Sequence, residues 1–495
     1  MLKYETVTQG ISGISKGRWR EFQEVGDKQM FYRDWGFSTN PFNTNPLPAS
    51  EAGEKLLVGR EQTIAQLKTR VRNGPKASTI EGLNGIGKTS IANVAAFQLE
   101  RESINGPGDS LFLSCRNEFQ LNAETSPYEF RTKVLQEVIQ TLIERKNDLP
   151  VRPGMTDPYS NTVLDRYLNS TESNAYQAGI LGATIGFSRT SAPSIGFEQS
   201  GFDKAALDWL RIVFPAVEDG GVICIIDNLE VLETSRDAAQ MLEELRDVLF
   251  SVPGIRWIMC GARGIVHGVA SSPRLLGYLH RPIEVRDLQR QYAFNLFEKR
   301  LEAYRVRDDA TVPVSKNDFL ALFKLYRGNL RSVLFDLDQY CQYVFENFDD
   351  IEEDVTHIDF PDWLQGEANR TYSAVSKVAS DKDLQVLAYS CARDNSFRFD
   401  DFKRFGFKER EPFMECVDRL VHWGVVWCVE DDFDHNRRLH RISPKGWLLE
   451  NSGNLDHFLG SFHNMVPATP SDAEWFKDGQ KWSGSTSTDT DEEDI

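Results

Sequence analysis

Residues 82–89 read GLNGIGKT and match G-x-x-x-x-G-K-[ST] without a gap. Each position suits the holding of phosphate. Gly82, Gly85 and Gly87 permit backbone torsions that a Cβ would forbid, and those torsions turn successive N–H groups inward as an anion nest. A helix starting at the end of the loop adds free N–H groups and the positive end of its dipole. Lys88 offers a point charge to β- and γ-phosphate oxygens, and the Thr89 hydroxyl is a ligand for Mg²⁺. Gly82, Leu83, Asn84, Gly85, Ile86, Gly87, Lys88, Thr89 and Ser90 therefore form the candidate nucleotide-binding set, with ATP and Mg²⁺ as expected ligands.

Such a loop needs an acidic partner for its metal. The run GVICIIDNLE at 221–230 supplies one at Asp227, after a continuous apolar stretch of the kind a buried parallel strand shows. Ligands of open α/β sheets sit at such strand ends, so Asp227 is expected to hold Mg²⁺, directly or through water. Hydrolysis also needs a carboxylate within hydrogen-bond reach of the attacking water. The residue beside Asp227 is Asn228, which leaves Glu230 as the candidate base; alternatively Asn228 positions the water or senses the γ-phosphate.

These residues require a scaffold, and the pattern from Ala77 onward provides it. Strands are expected at Ser78–Glu81, 111–115, 222–226, 256–260 and 282–285, with helices at about Lys88–Glu100, 128–145, 236–250 and 288–304. Alternating strands and helices predict an α/β fold, a three-layer parallel sheet flanked by helices. Residues 316–346 read as helical, and WGFSTNPFNTNPLPAS before the sheet reads as an extended loop. Residues 146–205 interrupt the alternation with a stretch rich in Gly, Ala and Ser, either a β-hairpin or a loop.

The 495 residues carry a formal net charge of −18, which excludes bulk nucleic-acid binding; contact with DNA would have to come from a local basic patch. The seven cysteines form no C-x-x-C pair and no zinc spacing, which fits a reducing, cytoplasmic setting. No secretory leader pattern and no membrane-spanning apolar run is present, so no membrane partner is expected.

With these motifs in place, the chain resembles the AAA+ and STAND P-loop ATPases, especially the origin-recognition-like branch that carries a C-terminal winged helix. LLVGRE at 56–61 resembles the box that precedes the phosphate loop, and IIDNLE resembles the acidic metal-binding strand. RWIMCGARG at 256–264 resembles the sensor-1 strand ending in arginine, and RGNLRSVL at 327–334 resembles the sensor-2 helix of the lid. The resemblance implies Arg60 near the base or phosphates, Arg263 at the γ-phosphate and Arg331 reaching down from the lid. It also implies a strand between the phosphate loop and Asp227. Two departures stand out: Leu330 occupies a position often held by proline, and Asp227–Asn228 replaces an Asp-Glu pair, which points to slow turnover.

The expected plan is an N-terminal segment at 1–54, an ATPase core at 55–290, a helical lid at 291–380, a winged helix-turn-helix at 381–450 and a C-terminal segment at 451–495. The last of these ends in an acidic tail too poor in apolar residues to order itself. The resemblance implies a nucleotide-controlled switch acting through homo-oligomerisation or a separate sensor or effector protein, in a role such as antiphage defence. The rival readings are a DNA-acting loader or regulator using basic residues within 403–445, and a scaffold that binds nucleotide without hydrolysis.

Overall fold

Strand formation follows apolar content. In a computed structural model, all eight residues of β4 (Gly220–Asp227) and all seven of β5 (Ile255–Gly261) are buried. The structure describes residues 31–74, 76–106, 110–121, 126–149, 164–165, 168, 199–229, 235–262, 266, 269, 272–347, 360–393, 396–430 and 438–459. The central sheet runs β2 (Leu111–Ser114), β4, β5, β1 (Ser78–Glu81) and β6 (Ile283–Glu284), with β3 (Phe119–Gln120) beside the end of β4. Every pairing in it is parallel. One strand, β5, separates the phosphate-loop strand β1 from β4, which ends at Asp227.

Because side chains alternate along each strand, the sheet builds two cores. Phe112, Ile223, Ile225, Ile258 and Ile80 pack against α3 (Glu61–Asn73) and α4 (Lys88–Asn105), through Leu67, Ile91, Val94 and Leu99. Leu113, Val222, Cys224, Trp257 and Met259 face the other way. There they meet α5 (Pro127–Glu144), α6 (Gln199–Val213) and α7 (Ser235–Leu245). This is the three-layer parallel sheet of the P-loop class. The helix expected at 236–250 ends earlier, because residues 246–250 loosen into a π turn.

A third core lies beside the sheet. It contains α1 (Phe31–Asp34), α8 (Arg290–Tyr304), α9 (Lys316–Leu325), α10 (Leu330–Asn347) and α11 (Phe360–Ser376). The helix expected over 316–346 is two helices. The break falls at Arg327 and Gly328, both left-handed at φ 53° and 80°. The segment read as an extended loop is a strap leading to α2 (Glu51–Leu56): Phe37 and Phe42 are buried in this core, and Asn40 donates to Asp338 at 2.9 Å.

The same core continues into the C-terminal unit. This comprises α12 (Asp381–Arg393), β7 (Ser396–Arg398), a 3₁₀ turn at Phe399–Phe405, α13 (Arg410–His422), β8 (Val426–Glu430) and β9 (Arg438–Ile442). In the region where a winged helix-turn-helix was expected, these strands form an antiparallel sheet of order β7-β9-β8. After it, α14 (Pro444–Asn451) buries Trp447 and Leu449. Residues 431–437, most of the 146–205 insertion and the tail lie outside the described residues. Among the described residues, no helix is long and apolar enough to cross a membrane.

Candidate nucleotide site

The loop between β1 and α4 is shaped by glycine. Gly85 and Gly87 take φ of 81° and 96°, a region an L side chain rarely occupies. A Cβ on Gly87 would meet no atom within 4 Å, so the loop backbone faces open space there. Lys88 folds back over the loop, its Nζ 3.1 Å from the Gly82 carbonyl and 3.3 Å from that of Leu83. Lys88, Thr89 and Asp227 are each less than a tenth exposed.

Asp227 closes the site from β4. The Thr89 hydroxyl, at the start of α4, donates to Asp227 Oδ2 at 2.9 Å. The other oxygen, Oδ1, is buried with no hydrogen-bond partner among the described residues. A buried carboxylate oxygen without a donor is costly unless a cation completes it. A hydroxyl and a half-satisfied carboxylate side by side form a donor set that suits Mg²⁺. Asn228, directly after Asp227, is left-handed at φ 57°, which asparagine tolerates better than most residues.

A cavity of about 200 Å³ opens over this loop, lined by Asn84, Gly85, Gly87, Lys88, Thr89, Ser90 and Asn228 from the core. Its other wall comes from elements outside the sheet: Thr44, Asn45 and Pro46 of the strap, Arg300 of α8, and Leu330, Arg331 and Leu334 of α10. Arg331 lines the cavity from α10 and is exposed. Gly82, Leu83 and Ile86 do not line the cavity, and Ile86 is buried in the sheet core.

Arg60 is placed differently. Its guanidinium donates to the main-chain carbonyls of Arg286 at 2.7 Å and Ile86 at 3.2 Å, and it does not line the cavity. It braces the loop from below, and burial lowers its pKa. Glu230 and Arg263 lie outside the described residues.

Three features were not foreseen from the sequence. Asn329 caps α10 with its side-chain oxygen, accepting from Ser332 N at 3.1 Å, while its amide donates to the Asn84 carbonyl at 2.7 Å. The Cβ that Gly85 lacks would sit 2.8 Å from that side chain, so the glycine permits the close approach. Arg300 is buried in the cavity wall. Glu118 receives a 2.7 Å bond from Asn93, one turn beyond Thr89, and burial followed by the charge of Asp227 raises its pKa. The cap made by Asn329 is a local signal, but its bond to Asn84 and the settings of Arg300 and Glu118 depend on partners distant in the chain.

No family model matches this sequence, and no curated protein matches it. Similar solved structures include the ORC2 protein of Aeropyrum pernix in ADPNP–ADP complexes, with TM-score 0.42, 15% identity and coverage of 85% of this chain and 98% of that one. The Walker-type ATPase PABY2304 of Pyrococcus abyssi gives TM-score 0.40, 15% identity and coverage of 83% and 99%. Cdc6p from Pyrobaculum aerophilum gives 0.37, 12%, 85% and 97%. These are distant likenesses of shape; the strand order and the loop geometry define the P-loop class here on their own.

Proposed function

We propose that this chain is an ATP-binding and slowly ATP-hydrolysing switch, in which the helical unit beside the sheet reports the state of the nucleotide. The observation that carries this reading is the cavity itself: Lys88, Thr89 and Asn228 on the sheet side meet Arg331 on the helical side across one space. Thr89 and Asp227 would hold Mg²⁺, which supplies charge neutralisation for phosphate oxygens. Lys88 binds β- and γ-phosphate, Asn228 orients water at the strand end, and Glu230 and Arg263 complete the hydrolytic set. The proposed division keeps a core at 55–290, a lid at 291–380 and a winged unit at 381–450. Closure on nucleotide would change which surface is offered to a second copy or to a separate sensor or effector protein.

Titration calorimetry with Mg-ATP tests the reading. Lys88→Ala is expected to weaken binding by at least about tenfold, the loss of one charge-assisted contact. Equal affinity in the two proteins would refute the assignment. Single-turnover hydrolysis that is absent from the wild type would reduce it to a nucleotide-binding scaffold.

A further inference from the structure

Arg300 stands among the least exposed charged side chains described, at 5% exposure, on a helix that contributes nothing else to the cavity wall. Among the described residues its hydrogen bonds all leave from Nη1, to the main-chain carbonyls of Pro41 at 2.8 Å and Asn43 at 3.2 Å. Those acceptors are neutral. Among the described residues no carboxylate forms an ion pair with it, and burial pushes its pKa down to about 10. An arginine taken out of water without an anion is a marked cost in any fold.

Arg256 makes a useful contrast. It is equally buried and also bonded to carbonyls, but Glu218 supports its charge and it lies away from the cavity. Arg300 instead shares its cavity with Lys88, Thr89 and Ser90, where the loop geometry gathers negative charge. The strap it holds is bonded in turn to the phosphate-loop helix. Leu47 N donates to Ser90 Oγ at 3.0 Å, and Asn93 donates to the Leu47 carbonyl at 3.0 Å.

We infer that Arg300 is a second phosphate-contacting arginine, borne on α8, whose missing counter-ion is a phosphate oxygen of the bound nucleotide. It rests on the nucleotide-switch reading above and goes beyond it. Nucleotide and strap then share one guanidinium, so occupancy of the cavity fixes residues 41–43 against α8. A planar guanidinium is suited to this, because one edge can hold carbonyls while the other meets phosphate.

The test is displacement of a fluorescent ADP analogue by ADP and by adenosine, using the full chain as wild type, Arg300→Met and Arg300→Lys. Melting curves establish that each is folded. Arg300→Met is expected to lose at least tenfold in ADP affinity with adenosine displacement changed less than threefold, and Arg300→Lys to recover part of the loss. Unchanged ADP affinity, or equal losses for ADP and adenosine, would overturn the inference, since a purely structural arginine does not distinguish them. If Arg300→Met does not fold, Arg300→Lys carries the same comparison: selective weakening of ADP supports the inference, and none overturns it. Failure of the wild type to bind the analogue would instead remove the nucleotide reading itself.

Discussion

Asp336 is a carboxylic acid held where its charge is unwelcome. Burial, with the charge of Glu367 adding to it, pushes its pKa up to about 6, while the Tyr326 hydroxyl hydrogen-bonds to it and pulls the other way. Because the folded pKa lies above the unfolded one, this group favours folding below the ordinary aspartate range. That contribution is lost as pH rises through about 6. At pH 8 the folded chain therefore carries an ionised, poorly solvated group. Asp336→Asn keeps an acceptor for Tyr326 and removes the charge, so it is expected to stabilise the protein at pH 8 by about 1–2 kcal/mol. At pH 4, where the carboxyl is protonated in the folded chain and close to its ordinary pKa in the unfolded one, the gain should shrink to a small fraction of that. Melting temperatures of both proteins at the two pH values measure this; a gain independent of pH would show that the charge is not its source.

Among the elements, the turn between α9 and α10 has the most to explain. Four residues, Tyr326 to Asn329, reverse the chain with two left-handed positions, and the last of them both caps a helix and grips the phosphate loop. These tasks can be separated. Asn329→Ser keeps a good N-cap and loses the reach to Asn84, whereas Asn329→Ala loses both. Asn329→Ser is expected to melt near the wild type and to bind ATP several-fold more weakly. Asn329→Ala should in addition lose about 1 kcal/mol of stability. Calorimetry and thermal melts separate the two, and an Asn329→Ser protein with wild-type affinity would show that the loop needs no support from this side. This turn also marks how far the sequence could be read. GLNGIGKT and IIDNLE were legible because their spacing is local and their strands are apolar throughout. RGNLRSVL drew attention to Arg331, which lines the cavity. The strap was legible only as a loop, since Phe37 and Phe42 are buried by helices more than two hundred residues away. Arg300 and Glu118 give no signal in a helix or loop pattern, because their meaning comes from what faces them.

At the scale of the molecule, the arrangement of cores limits what can move. Two cores belong to the sheet, while the third joins α1, the strap, helices α8 to α11 and the C-terminal unit into one apolar cluster. The helical and C-terminal units thus share packing, and the interior is dense enough that they should shift together. Links between this body and the sheet gather at the cavity: the strap bonded to Ser90 and Asn93, and the turn bonded to Asn84. That turn also carries Arg327, whose guanidinium stacks 4.1 Å from the Trp447 ring of α14. A nucleotide that draws Arg331 inward therefore acts on the turn from one side while Trp447 holds it from the other. Hydrogen exchange with and without a slowly hydrolysed ATP analogue should show slower exchange at 40–47 and 326–331, extending to α14. In Arg327→Gln the protection at 40–47 and 326–331 is expected to persist with affinity changed less than about threefold, while that at α14 disappears, because the cation–π contact that ties the turn to Trp447 is removed. Protection confined to the phosphate loop in the wild type would mean that the nucleotide stays unread by the rest of the chain. Loss of protection at all three segments in Arg327→Gln would place the stacking within the binding event itself, so that α14 helps to hold the nucleotide as well as to report it.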